Sequence, residues 1–209
     1  MKRELRLTAD GSHTIAIPDM NVTYHSTHGA IQESMHVFIQ AGLQALQLPA
    51  VRIFEMGFGT GLNALLTMQY AITPVYYYSV EQFPLTAEEV AGLSYGNALH
   101  AYPWNEDVKI SEQFTLHKAH ASLLDVNPAQ TFDLIYYDAF APGAQPHLWT
   151  KAIFEKLFGL LVPGGILVTY CSKGDVRRAM LAAGFQVEKL AGPPGKREML
   201  RAQRQMSQH

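Results

Sequence analysis

At 209 residues, with 48% apolar and 11% aromatic side chains, the chain is sized for one domain with a full core and leaves no room for a second catalytic domain. A formal charge of −2 excludes a globally basic nucleic-acid binder, and every apolar run stops well short of the ~18 residues of a membrane-spanning helix. The opening MKRELRLTADGSH lacks the apolar stretch of a signal peptide and the single Cys171 cannot pair internally, so the expectation is a soluble cytoplasmic protein.

Residues 1–28 alternate in TIAIPDMNVTYHS and carry turn signals at Asp10-Gly11 and Pro18-Asp19, which predicts a β-hairpin-like extension ahead of a main domain over 29–209. From Gly29 to Leu48, Ile31, Met35, Phe38, Ile39, Leu43 and Leu46 recur at helical spacing, and Pro49 ends the helix. A strand at Val51–Phe54, a helix at Leu62–Ala71, a strand at Val75–Val80 and a helix through LTAEEVAGL follow. Residues 94–112 show no clear period and are expected to be irregular. Alternation resumes with a strand at Phe114–His117, a short helix at Ala121–Leu124, a strand at Phe132–Tyr137 and a helix at Pro146–Leu160. A turn at Pro163-Gly164-Gly165 leads to a strand at Ile166–Tyr170, where Cys171 reads as a small buried residue. A helix at Asp175–Ala183 and strands at Phe185–Leu190 and Arg197–Arg201 complete the chain. Strands alternating with helices predict an α/β fold with a parallel sheet covered on both faces.

In such a sheet a ligand sits outside the carboxyl ends of the strands, where strand order reverses. The stretch VRIFEMGFGTGLNALL breaks from an apolar strand into Gly57, Gly59 and Gly61 and then an apolar helix, a turn that brings backbone amides close to a ligand. Its third glycine comes two residues after the second, one short of the dinucleotide spacing. Glu81 ends the next strand about 20 residues on, placed for a ribose. His120 or Ala121 follows the third strand on the adenine side. Asp138 ends the apolar run of the fourth, with Phe140 and Trp149 nearby for an amine or a flat ring, whereas Asp133 at the other end reads as structural. Tyr76, Tyr77, Tyr78, Tyr136 and Tyr137 read as sheet core. The nine histidines show no metal-ligand spacing, and His13, His25, His28 and His36 are expected to be structural or solvated, so no metal is expected. From Cys171 to His209, eight Lys or Arg stand against three acids, a local excess of +5 that suggests one basic face.

The glutamate two residues ahead of G-x-G-x-G resembles motif I of S-adenosylmethionine methyltransferases. More of the chain resembles one family of them, the methyltransferases of tRNA 5-methylaminomethyl-2-thiouridine biosynthesis, which occur alone or as half of a bifunctional protein. The segments carrying the likeness are TYHSTHGAIQESMHVFI, EMGFGTGLN, SVEQFPLT, YYDAFAPGAQPHLWT, TYCSKGDVRRAMLAAGF and GKREMLRA. The resemblance implies a Rossmann-like class I methyltransferase fold, mostly parallel with an antiparallel last strand. It implies methyl transfer from S-adenosyl-L-methionine to the amine of 5-aminomethyl-2-thiouridine at the tRNA wobble position. Glu55, Gly57, Gly59, Gly61, Asn63, Glu81, His120 and Asp138 would hold the cofactor, with Asp138 also beside the acceptor amine as the catalytic residue. Tyr24, Phe140 and Trp149 would meet the splayed base. Arg177, Arg178, Lys196 and Arg197 would contact the anticodon loop. Two departures stand out: Ala119-His120-Ala121 lacks the acid common in relatives, and Gly143-Ala144-Gln145-Pro146 replaces A-K-N-P. The length also leaves no space for the flavin-dependent half, so a separate enzyme is expected to supply aminomethyl tRNA. The alternatives are a small-amine methyl or aminopropyl transferase on the same sheet, and a non-catalytic RNA-binding relic of it.

Overall fold

All six residues of Phe132–Tyr137, Asp133 included, are buried, which a strand achieves only where both faces of its sheet are covered. In the computed structural model, which describes Lys2–Met206, this strand sits near the middle of an eight-stranded sheet. Chain order begins outside it, with β1 (Glu4–Leu7), β2 (His13–Ile17) and β3 (Val22–Thr23) forming a separate antiparallel sheet. The expected hairpin thus gains a third strand. It docks on the domain through Arg3, which donates to the Phe83 carbonyl at 2.6 Å and pairs with Glu89 at 3.0 Å, and through Tyr95, whose hydroxyl donates to the His13 carbonyl at 2.6 Å.

The predicted helix over 29–48 is broken into α1 (Ala30–Ser34), a π-helical stretch Met35–Gln40 and a 3₁₀ turn Leu43–Ala45. The wide turn buries Val37, Phe38 and Ile39 consecutively, and the chain then folds so tightly at Gly42 that a side chain there would run into the Phe38 carbonyl. Next come β4 (Val51–Met56), α2 (Leu62–Tyr70), β5 (Val75–Glu81) and a short α3 (Ala87–Ala91), whose N-cap Thr86 forms a capping box with Glu89. The segment expected to be irregular carries α4 (Asn97–His100) and β6 (Asp107–Ser111). Val108 and Ile110 alternate with polar residues there, a period-2 signal short enough to escape notice. β7 (Phe114–His120) runs three residues beyond its predicted end. The predicted helix at 121–124 is a turn, because the Ser122 side chain and carbonyl accept from the Leu124 and Asp125 amides.

β8 (Phe132–Tyr137) follows, then a 3₁₀ turn Pro146–Trp149 and α5 (Lys151–Leu160), separated by Thr150, which caps α5 by accepting from Ile153 N–H. β9 (Leu161–Thr169) includes Pro163-Gly164-Gly165 as an irregularity rather than a preceding turn, held by reciprocal backbone bonds with Arg204. α6 (Gly174–Ala182), β10 (Gln186–Ala191) and β11 (Glu198–Gln203) end the fold.

The main sheet runs β10-β11-β9-β8-β4-β5-β7-β6. β9, β8, β4, β5 and β7 are parallel; β11 is antiparallel to both its neighbours, and β6 is antiparallel to β7. This is the Rossmann-like, mostly parallel arrangement with an antiparallel last strand. Alternation along the strands sends Ile135 and Tyr137 to the face covered by α5 and α6, and Leu134 and Tyr136 to the face covered by the π stretch and α2. Tyr77, Tyr136 and Tyr137 are core as expected, and Asp133 pairs with Arg52 at 3.2 Å at the amino end of β8. Among the described residues, no helix is long and apolar enough to cross a membrane.

One buried cation fixes the β5–β7 crossover. Lys118, 1% exposed, donates from Nζ to the Leu99 carbonyl at 2.9 Å and the His100 carbonyl at 3.0 Å, and lies 4.6 Å from the Trp104 ring. It thereby satisfies carbonyls at the end of α4 that have no helical partner. Lys118→Met is expected to leave both carbonyls unpaired in the core and to cost about 2–4 kcal/mol in urea unfolding.

Candidate active site

β4 has β5 on one side and β8 on the other, so the chain reverses its direction of sheet growth between β4 and β8. A crevice opens outside their carboxyl ends. Gly57, Gly59 and Gly61 have φ of 90°, 52° and 77°, the left-handed conformations that the turn from β4 into α2 requires. Gly57 passes the end of β8 so closely that an added Cβ would lie 3.3 Å from the Asp138 carbonyl oxygen, and at Gly59 it would meet the Tyr24 ring at 2.9 Å. Glu81 ties the turn down by accepting from Gly59 N–H at 3.0 Å and, through its other oxygen, from Phe83 N–H at 2.8 Å.

Around this turn lies a cavity of about 210 Å³. It brings together Tyr24, Gly57, Gly59, Asn63, Glu81, Asp138 and Phe140 from the predicted set. Phe83, Ala121, Ser122, Leu123 and Leu124 line it on the β5–β7 side. Tyr24 meets Phe140 edge to face with centroids 5.2 Å apart, so the extension forms a wall of the cavity. The charged lining is two carboxylates, Glu81 and Asp138, with no Lys or Arg among the described residues. Such a lining suits an adenosine-type ligand bearing positive charge and disfavours a phosphate. The three glycine amides are engaged within the protein, by the Val80 carbonyl, the Glu81 carboxylate and the Phe58 carbonyl. The turn therefore offers a ligand close approach to bare backbone, and the remaining lone pairs of the Glu81 carboxylate could hold its adenosine part. Among the described residues, no cluster of His, Cys, Asp or Glu is arranged for a metal ion.

Asp138 sits at the seam between β4 and β8, its N–H donating to the Met56 carbonyl at 3.3 Å. Asn63 Nδ2 donates to its carboxylate at 3.0 Å. Burial, then the nearby negative charge of Glu33, raises its pKa to about 7, while Asn63 and the positive charge of Lys196 oppose the rise. Behind Asn63 lies Glu55, fully buried, with Ser79 Oγ donating to it at 2.6 Å. Burial dominates there too and raises its pKa to about 8.

Several predicted site residues lie elsewhere. Glu55 is excluded from the cavity because its side chain points into the sheet face covered by α2; it reaches the site only through Asn63. Gly61 caps α2 and faces Phe58 and His100. His120 projects beside Trp104, on the opposite face of the strand end from the cavity, and Ala121 takes the wall position. Trp149 is core, its indole N–H donating to the Phe140 carbonyl at 2.8 Å, so it supports Phe140 instead of meeting a ligand. Lys196 is no surface cation: it pairs with Glu33 and lies 4.0 Å from the Tyr170 ring. Arg177 is half-buried on α6, Arg178 pairs with Asp175 at the surface, and Arg197 is exposed; none lines the cavity.

The sequence reading missed His25, Glu33 and Tyr170. His25, expected to be structural or solvated, lines the cavity at 7% exposure, and burial lowers its pKa to about 4. Glu33 accepts from Ser26 N–H at 3.0 Å and anchors Lys196, while the Tyr170 hydroxyl donates to the Ala139 carbonyl at 2.8 Å beside Asp138. The signal for His25 and Glu33 was the density of polar residues in the segment Tyr24–Ser34, which the helix period does not explain; Tyr170 had none.

Glu55 gives the apo protein a pH-dependent stability of definite sign. Its pKa is 4.5 when unfolded and about 8 when folded, so the folded state keeps a proton that the unfolded state loses, and stability falls as pH rises through that window. The urea midpoint is expected to drop between about pH 4.5 and 8 and to level off above that. Glu55→Gln should flatten most of that decline, leaving the smaller part due to Asp138.

Residues 91–205 match the family described as S-adenosyl-L-methionine-dependent methyltransferase. The crystal structure of MNMC2 from Aquifex aeolicus is similar with a TM-score of 0.81 and 25% identity, over 98% of this chain and 71% of that one. Spermidine synthase from Thermotoga maritima shares the fold at a TM-score of 0.60 and 11% identity, over 96% of this chain and 67% of that one. SAM-bound CalS10, an amino pentose methyltransferase from Micromonospora echinaspora, shares it at 0.50 and 16%, over 78% and 86%. With the glycine turn set at the reversal point of a sheet of this order, the chain belongs to the S-adenosyl-L-methionine-dependent methyltransferases, in the family of the MnmC methyltransferase domain.

Proposed function

We propose that this methyltransferase acts on the primary amine of 5-aminomethyl-2-thiouridine at the wobble position of tRNA. The observation that carries the reading is Asp138, a carboxylate held by Asn63 at the carboxyl end of β8, in a cavity whose charged lining is acidic throughout. Likeness to MNMC2 over 98% of the chain supports it. S-adenosyl-L-methionine, when bound, supplies an electrophilic methyl group on a sulfonium. The Glu81 carboxylate would hold its adenosine end against the bare backbone of Gly57 and Gly59. Asp138 attracts the substrate ammonium, and that positive charge in turn favours the ionised carboxylate. Once the ammonium has given up a proton to solvent, Asp138 accepts a hydrogen bond from the amine and fixes the direction of its lone pair. Phe140 and Tyr24 offer ring surface to the uracil. Positioning inside a cavity shielded from water supplies most of the rate.

The RNA backbone is assigned to the exposed cations of the last third, Lys173, Arg178 and Arg197. Lys196 is left out because its ion pair with Glu33 is largely buried, whereas the pair of Arg178 with Asp175 is fully at the surface.

Labelled S-adenosylmethionine is expected to methylate tRNA bearing 5-aminomethyl-2-thiouridine, and neither the unmodified tRNA nor spermidine. Transfer to spermidine with none to tRNA would sink the reading. Asp138→Ala should lower kcat by about a hundredfold or more while cofactor affinity stays near that of the parent. The double change Arg178→Ala with Arg197→Ala should weaken tRNA binding and reduce its salt slope by about 1 for each phosphate no longer neutralised, with cofactor affinity unchanged.

A further inference from the structure

His25 is buried as a core residue is buried, yet its ring is not satisfied as a core histidine's ring is. Its backbone is fixed on both sides: His25 N–H donates to Thr14 Oγ1 at 3.0 Å, and its carbonyl accepts from Thr23 Oγ1 at 2.7 Å. Neither ring nitrogen has a hydrogen-bond partner among the described residues, although the side chain is 93% buried and lines the cavity. An unpaired polar group in such a place works against folding.

The charged groups that face it do not claim the ring. Glu33 on α1 is taken by Ser26 N–H and Lys196, Asp10 of the β1–β2 turn by Thr8, Ser12 and the Gln32 amide, and Asp138 by Asn63. Glu33 and Lys196 act electrostatically on both His25 and Asp138, which places the two side chains over one charged floor. A neutral imidazole carries one N–H donor and one lone pair. Here it adds an acceptor to the methyl-transfer end of the cavity without adding a positive charge next to a sulfonium.

We propose that the unprotonated ring nitrogen of His25 accepts a hydrogen bond from the acceptor amine, so that His25 and Asp138 together aim its lone pair at the methyl group. The inference rests on the amine-acceptor reading above. His25 is thus a substrate-positioning and specificity residue: with two acceptors to satisfy, an amine that keeps two N–H groups fits better than a hydroxyl, which has one.

The test uses His25→Phe, which keeps the ring volume but has no acceptor, and His25→Gln, which keeps an acceptor. His25→Phe is expected to lower kcat/KM for tRNA bearing 5-aminomethyl-2-thiouridine by about ten- to hundredfold. Its cofactor affinity should be unchanged and its urea midpoint equal to or above that of the parent, because a buried unpaired group has been removed. His25→Gln should recover a large part of the activity. A His25→Phe enzyme with parental kcat/KM, a Gln variant as impaired as the Phe variant, or an activity loss that follows a fall in stability would each overturn the proposal. A second measurement does not depend on turnover. Adding the 5-aminomethyl-2-thiouridine nucleoside to protein saturated with S-adenosylhomocysteine should move the ¹⁵N signal of one His25 ring nitrogen in the direction of hydrogen-bond acceptance. An unmoved signal overturns the role of His25. A parent protein that methylates no aminomethyl tRNA overturns the substrate reading instead.

Discussion

The site depends on how closely the chain leaving β4 passes the chain leaving β8. The two strands pair in parallel up to Met56 and Tyr137, and the contact continues one residue further through the bond from Asp138 N–H to Met56. A side chain at position 57 would press on the Asp138 carbonyl, so glycine there lets the seam stay closed at its mouth. Because the seam is closed, the Asp138 carboxylate and the backbone of the glycine turn border one cavity.

Charge is arranged in layers behind that seam. Glu55 lies deepest, neutral over most of the physiological range, and Asn63 separates it from Asp138. Asp138 stands at the boundary between core and cavity, able to exist in either protonation state near neutrality. On the other flank Lys196 partly offsets Glu33, which limits how far the pKa of Asp138 is pushed. A neutral Glu55 matters here, since two ionised carboxylates on either side of one amide would repel each other across a medium that screens poorly.

The sequence disclosed what is local in the chain. Strand ends, the glycine turn and the acid that closes β8 are each written in a few consecutive residues, and the structure brings Gly57, Gly59, Glu81 and Asp138 to one edge of the sheet. Errors arose where the face of a strand decided the outcome. Glu55 and His120 stand at strand ends beside the crevice, but a one-residue difference in pleat turns Glu55 inward and gives the wall position to Ala121 instead of His120. Interactions across long stretches of chain were illegible for a different reason. Nothing near Lys196 announces its ion pair with Glu33, and nothing near His25 announces that it lines the same cavity as Asp138; topology alone brings these residues together. The π stretch escaped because three consecutive buried residues resemble an ordinary apolar helix face until Gly42 ends it.

The ion pair between Lys196 and Glu33 spans 163 residues of sequence, and His28 packs on Gly195 beside it. The cavity itself is lined only by residues between Tyr24 and Leu148, and the C-terminal hairpin braces from behind the Tyr24–Ser34 segment that forms one of its walls. During synthesis, the glycine turn, Asp138 and most of the parallel sheet leave the ribosome long before the β10–β11 hairpin that seats Lys196. An emerging chain thus holds every residue that lines its cavity before the ion pair that braces the Tyr24–Ser34 wall can form. Loop closure over such a separation is slow compared with local structure. The wall that carries Tyr24 and His25 is in this way locked only at the last stage of folding.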